Sequence, residues 1–243
     1  MPSLTKIISL VAAASMTVSG ALNTAAPQND VNGLLFLANR QYMVSEAYEP
    51  ADLEMSDVPG QVRRMRKEAA EALREMFQTC KEETGLQLLS ISGYRSYERQ
   101  EGIYKRKLRT VKGNVEKAQE YVAPPGSSEH QLGVAMDLGQ KHKIHLEVSF
   151  ADTEGGKWCR ENCWRFGYIL RYDEPWEGIT GYKYEPWHFR YVGKEYAKEI
   201  HDANVPLETW LISHRAEVLR QLIEGPADLP AESPATPTEL GED

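Results

Sequence analysis

Two short segments constrain this chain more than any other part of it. The first, Ser127-Ser128-Glu129-His130-Gln131-Leu132-Gly133-Val134-Ala135-Met136-Asp137, carries His130 and Asp137 seven positions apart. The second follows about fifty residues later, Glu185-Pro186-Trp187-His188-Phe189-Arg190-Tyr191, and adds His188. A helix would put His130 and Asp137 on one face. The Pro124-Pro125-Gly126 lead-in and Gly133 favour instead a loop that feeds a strand over 134–138. Two imidazoles and a carboxylate make a three-ligand set for a dication such as Zn²⁺, and three protein ligands are what a catalytic zinc site supplies, leaving the fourth position to water. Glu185 lies three positions before His188 and is the acidic neighbour that an activated water needs as proton acceptor.

A third segment, Ser92-Gly93-Tyr94-Arg95-Ser96 with Gln100 beyond it, follows a strand expected over 86–92, a stiff mount for Arg95. The pattern Ser128-x-His130-x-x-Gly133-x-Ala135-x-Asp137, followed by Glu185-Pro186-Trp187-His188-Phe189-Arg190-Tyr191-Val192-Gly193 and preceded by the Arg95 block, resembles the VanY-type D-alanyl-D-alanine carboxypeptidases, zinc peptidases of bacterial cell-wall metabolism. The resemblance covers roughly residues 33–212. It implies an α+β domain in which a small antiparallel sheet carries the zinc site under a cover of helices. It also implies that Zn²⁺ is held by His130, Asp137 and His188, that Glu185 is the general base, and that Arg95 steadies the oxyanion formed from the scissile carbonyl. Ser128 and Gln100 are the expected contacts to the substrate's terminal carboxylate, and Trp187 is either core or a wall of the substrate pocket. A turn hydroxyl bonded to its own backbone is the plain alternative for Ser128.

The family reading implies a peptidoglycan stem peptide as substrate. D,D-carboxypeptidase activity is the first expectation, with L,D-carboxypeptidase trimming of the tetrapeptide second. A zinc-bearing module that binds cell-wall peptides without cutting them is the alternative from another class, but it has no need of Glu185 or Arg95.

The rest of the chain is organised around that site. Residues 1–26, with Lys6 ahead of an apolar run and small residues near Gly20 and Ala25, read as an export signal or an uncleaved N-terminal anchor, which implies the cell envelope or the exterior. Residues 27–53 are expected to pack on a domain spanning 54–224, with a short strand at 34–39. An amphipathic helix is expected over 60–83, closed by Gly85. Further helices are expected at 97–108, capped by Ser96, at 153–166 and in two stretches from 194 to 224. Residues 167–172 read as a strand and 173–181 as a loop. Pro186 predicts a bulge in a last strand that turns Glu185 and His188 the same way.

The tail 225–243 is Pro-rich and acidic and reads as disordered. Its five carboxylates account for part of the net charge of −8 over 243 residues, and without them the balance is −3. No basic stripe is left to meet a nucleic acid. With 41% hydrophobic and 26% charged residues the chain can bury an ordinary core. Cys80, Cys159 and Cys163 are expected as buried thiols, because pairing within one helix is geometrically awkward. His142 and His145, three apart and without a third ligand, read as part of a solvated loop.

Overall fold

The computed structural model describes residues 30–61, 64–142 and 144–224. The expected signal at 1–26 and the tail at 225–243 lie outside them. Of these, residues 30–213 belong to one compact unit, and the end of the last helix, from His214, to a second.

A four-stranded sheet positions everything else. Its strands are β3 (Leu88–Ser92), β4 (Ala135–Gln140), β5 (Tyr168–Leu170) and β6 (His188–Tyr191), in the order β3-β4-β6-β5, each pair antiparallel. A separate two-stranded ribbon joins β1 (Leu53–Met55) to β2 (Arg64–Arg66). The α+β class with a small antiparallel sheet is therefore the observed one.

Side chains alternate across a sheet, and β4 and β6 use both faces. Met136 pairs with Phe189, and both enter the main core, where Met65, Leu73, Met76, Leu138 and Tyr168 join them. Asp137 pairs with His188 and Ala135 with Arg190 on the opposite face, which is where the polar groups collect. Helix α1 (Lys67–Thr84) covers the apolar face. Its buried residues Ala69, Ala70, Ala72, Leu73, Met76, Phe77 and Cys80 recur at helical spacing, and Gly85 closes it in the left-handed conformation at φ 73°.

The expected helix at 60–83 begins later than its pattern suggested, because Arg64–Arg66 pair with β1 while Met65 still enters the core. The short strand expected at 34–39 does not form. Leu35, Phe36, Leu37 and Ala38 are buried as expected of an apolar run, but the Leu34 and Phe36 carbonyls accept from the Arg190 side chain at 2.8 and 3.0 Å rather than from a neighbouring strand.

Beyond β3, α2 (Tyr97–Thr110) starts at Ser96, whose hydroxyl accepts from the Arg99 amide at 3.2 Å, and α3 (Val115–Gln119) follows. The expected 153–166 helix is α4 (Glu154–Asn162) continued by a 3₁₀ turn, Cys163–Phe166. Residues 173–181 are not a plain loop: Asp173 caps a 3₁₀ turn at Glu174–Trp176 with Pro175 in its first turn, and α5 (Glu177–Thr180) continues it. The last helices are α6 (Lys194–Ala203) and α7 (Leu207–Glu224). Ile200 of α6 and Leu207, Trp210 and Leu211 of α7 join Leu35, Leu37, Ile169 and Val192 in a second apolar cluster. All three cysteines are buried free thiols. Among the described residues no helix is long and apolar enough to cross a membrane.

Two glycines separate conformational from packing demands. Gly85 and Gly133 both have positive φ, 73° and 69°, but a Cβ on Gly85 would meet nothing within 4 Å, whereas one on Gly133 would meet Leu53 Cδ2 at 2.9 Å and Arg66 Cγ at 3.0 Å. Gly85→Ala is expected to lower stability by about 1 kcal/mol, the left-handed penalty alone. Gly133→Ala should lower it by more, as measured by urea unfolding; equal losses would contradict the packing at Gly133.

Candidate active site

The strand register brings the expected residues together. Asp137 and His188 face each other across β4 and β6. His130 lies on a 3₁₀ turn, Glu129–Leu132, that runs through Gly133 into β4. Arg95 follows the end of β3, and its amide donates to the His130 carbonyl at 3.1 Å. Glu185 and His188 turn the same way through a tight turn, closed by the His188 amide donating to the Glu185 carbonyl at 3.0 Å. That turn, ahead of β6, replaces the expected bulge.

One heteroatom each from His130, Asp137 and His188 lies within 4.8 Å of the others, all three residues buried. Asp137 Oδ1 is 3.3 Å from His130 Nε2 and 3.1 Å from His188 Nδ1. Donors around a tetrahedral ion at about 2.1 Å stand ~3.4 Å apart, so the two distances to Asp137 already match those of a ligand set. The remaining ring nitrogens are anchored away from it. His130 Nδ1 is 2.8 Å from the Gly93 carbonyl, to which it can only donate, and this leaves Nε2, buried and without a hydrogen-bond partner, facing Asp137. His188 Nε2 is 3.3 Å from Glu129 Oε2, and this leaves Nδ1 for the cluster. An N,N,O set whose imidazoles are fixed from behind fits a zinc ion.

Electrostatics point the same way. Burial and Arg95 push the His130 imidazolium down to about 4, so His130 is neutral. Burial also opposes charge on His188, but hydrogen bonds donated to Asp137 and Glu129 outweigh it and raise it to about 9. A proton on His188 thus offsets the two carboxylates when no dication does so. Asp137 is held well below the usual carboxylate range: burial opposes its charge, and His130 and His188 more than compensate. Burial pushes the Glu185 carboxyl up to about 7, with Asp137 adding to the rise and His188 and Arg95 opposing it. Glu185 Oε2 lies 3.8 Å from His188 Nδ1, and its side chain keeps 16% exposure.

These groups line a cavity of about 570 Å³ with Arg95, Gln100, Ser128, Tyr172, Tyr182 and Trp187. Arg95 Nε is buried without a partner. Ser128 makes no cap hydrogen bond to its own turn. Gln100 donates Nε2 to the Ala123 carbonyl at 2.7 Å, and its Oε1 is buried without a hydrogen-bond partner. Trp187 lines the cavity and also packs, half-buried, on the main core. His142 and His145 are exposed, as expected.

Glu129 was the residue the sequence did not reveal. It is fully buried and accepts from Arg171 Nε at 2.8 Å, and Arg190 Nη1 lies 3.0 Å from the same oxygen. A carboxylate beside a candidate ligand was the one available signal.

The family model for VanY, D-alanyl-D-alanine carboxypeptidase, matches residues 62–194. YodJ of Bacillus subtilis (strain 168), a provisionally named carboxypeptidase, is 46% identical over 190 residues, 75% of this chain and 68% of YodJ. The LdcB LD-carboxypeptidase structure, described for its peptidoglycan recognition, superposes with a TM-score of 0.70 at 45% identity, over 74% of this chain and 86% of that one. A glutamate-to-alanine variant of the vancomycin-resistance D,D-pentapeptidase VanY, solved in complex with Zn(II), superposes at 0.62 and 33% identity, over 73% of this chain and 98% of that one.

Zinc must displace the His188 proton, because a ligating imidazole is neutral. Competition titration should therefore show zinc affinity rising about tenfold per pH unit up to about 9. An affinity flat between pH 6 and 8 would contradict this.

Proposed function

The chain belongs to the VanY family of D-alanyl-D-alanine carboxypeptidases, and on that premise we propose that it hydrolyses the last peptide bond of peptidoglycan stem peptides and releases D-alanine. The observation that carries the reading is Glu185 at the cavity wall, 3.8 Å from His188, beside a buried N,N,O donor cluster. His130, Asp137 and His188 are the residues that would hold zinc, which when bound supplies a Lewis acid that polarises a carbonyl and acidifies water.

The chain's own residues do the rest. Glu185, with a carboxyl poised near neutrality at about 7, takes a proton from the attacking water. As the C–N bond breaks, the same carboxyl returns that proton to the leaving amine of D-alanine. Arg95, buried and with Nε unpartnered, donates to the oxygen that gains negative charge. Ser128 and Gln100, both on the cavity wall, contact the terminal carboxylate, and Trp187 walls the pocket.

D,D and L,D cleavage both release D-alanine and differ in the configuration of the residue before the scissile bond. Identity of 45% to LdcB against 33% to the D,D-pentapeptidase, and TM-scores of 0.70 against 0.62, favour the L,D bond of a tetrapeptide. The D,D bond, first expected from the motifs, is the second reading. The expected export signal at residues 1–26 supports a location at the cell envelope or outside the cell, and N-terminal sequencing of protein recovered from the medium would check its removal.

Mass spectrometry of stem peptides after incubation should show tetrapeptide shortened by one D-alanine. Pentapeptide trimmed with tetrapeptide untouched would establish D,D activity instead, and no release from either would favour a binding module. Glu185→Gln should retain zinc and lose about 10²–10⁴-fold in turnover; undiminished turnover would remove Glu185 from the chemistry.

A further inference from the structure

Behind the donor cluster lies a buried chain of charges that the peptidase reading does not use. Glu129 Oε2 meets His188 Nε2 at 3.3 Å. Its other oxygen accepts from Arg171 Nε at 2.8 Å. Arg171 in turn donates Nη1 and Nη2 to Glu208 Oε2 and Oε1 at 2.9 and 2.6 Å, a two-pronged pair. The side chains of Glu129 and Arg171 are 0% and 1% exposed, and Glu208 is 16% exposed. Glu208 belongs to the first turn of α7, outside the residues 62–194 that the family model matches.

The charges count out in a telling way. Glu129 faces two guanidiniums, Arg171 and Arg190. With Glu208 present the four groups sum to zero. Without it, two cations share one carboxylate, their pull on Glu129 strengthens, and its hold on the His188 N–H weakens. A net positive charge would also remain behind a dication site. Replacing one partner of a buried pair leaves the other uncompensated, and here the uncompensated group is two links from a ligand.

We propose that Glu208 is a positioning residue of the metal centre: through Arg171 and Glu129 it fixes the ring of His188 with Nδ1 turned toward Asp137 and His130. The proposal rests on the reading that His188 ligates zinc. The bidentate geometry at Arg171 sets the direction of its Nε, and that direction holds the Glu129 carboxylate against the imidazole. A helix beyond the residues that the family model matches is in this way part of the site.

The test uses the full chain, stripped with chelator and titrated with zinc against a chromophoric competitor, alongside thermal unfolding of the metal-free protein. Glu129→Gln is expected to weaken zinc binding by about 10- to 100-fold, the range for partners behind a ligand. Glu208→Gln should weaken it by roughly 3- to 10-fold, and Glu208→Asp, which keeps the charge but shortens the reach, by less. Zinc affinity of Glu208→Gln equal to that of the unaltered chain overturns the proposal, and a lowered thermal midpoint with unchanged affinity would show that the pair only fastens α7. His188→Ala separates the two readings. If that variant binds zinc as the unaltered chain does, the ligand assignment itself fails. If it loses zinc while Glu208→Gln does not, the relay alone fails.

Discussion

The pairing of Asp137 with His188 across β4 and β6 is the constraint on which the site depends. Their register puts Met136 and Phe189 into the core and turns the charged residues to the opposite face. A slip of one residue would exchange the two faces entirely, so burying the core and assembling the donor cluster are one event. Gly133 makes this possible by letting the chain leave the His130 turn and enter β4 against β2, where the Arg66 amide donates to the Gly133 carbonyl at 2.8 Å.

Burying so many charges opposes folding unless each is compensated. Arg171 and Arg190 hold Glu129, Glu208 completes the coordination of Arg171, and the Leu34 and Phe36 carbonyls occupy the far side of Arg190. Asp137 lies within 3.3 Å of both imidazoles, whereas at Glu185, 3.8 Å from His188, burial outweighs the neighbouring cations, which is why Asp137 stays ionised while Glu185 sits near neutrality. One small volume thus keeps a permanent anion for binding and a carboxyl able to exchange a proton for chemistry.

Local pattern made much of this legible in the sequence. The three- and four-residue apolar steps of α1, its Gly85 stop, the Ser96 cap and the strands bearing Asp137 and His188 all follow from the chain itself, and the three ligand candidates with Glu185 do converge. What stayed hidden lies at long range. Residues 34–39 carry a strand's composition, but an arginine 156 residues from Leu34 accepts the role of its pairing partner. Glu129 and Arg171 are 42 apart, and Arg171 and Glu208 are 37 apart, so no spacing rule joins them. The start of α1 was blurred because Met65 satisfies both a helical step and a buried strand position.

X-ray absorption at the zinc edge of the loaded protein tests the central claim most directly. The account predicts a shell of nitrogen and oxygen at about 2.0–2.1 Å with the outer scattering of two imidazoles. A sulfur shell at about 2.3 Å would contradict it, because it would put the metal on the cysteines instead of on His130, Asp137 and His188.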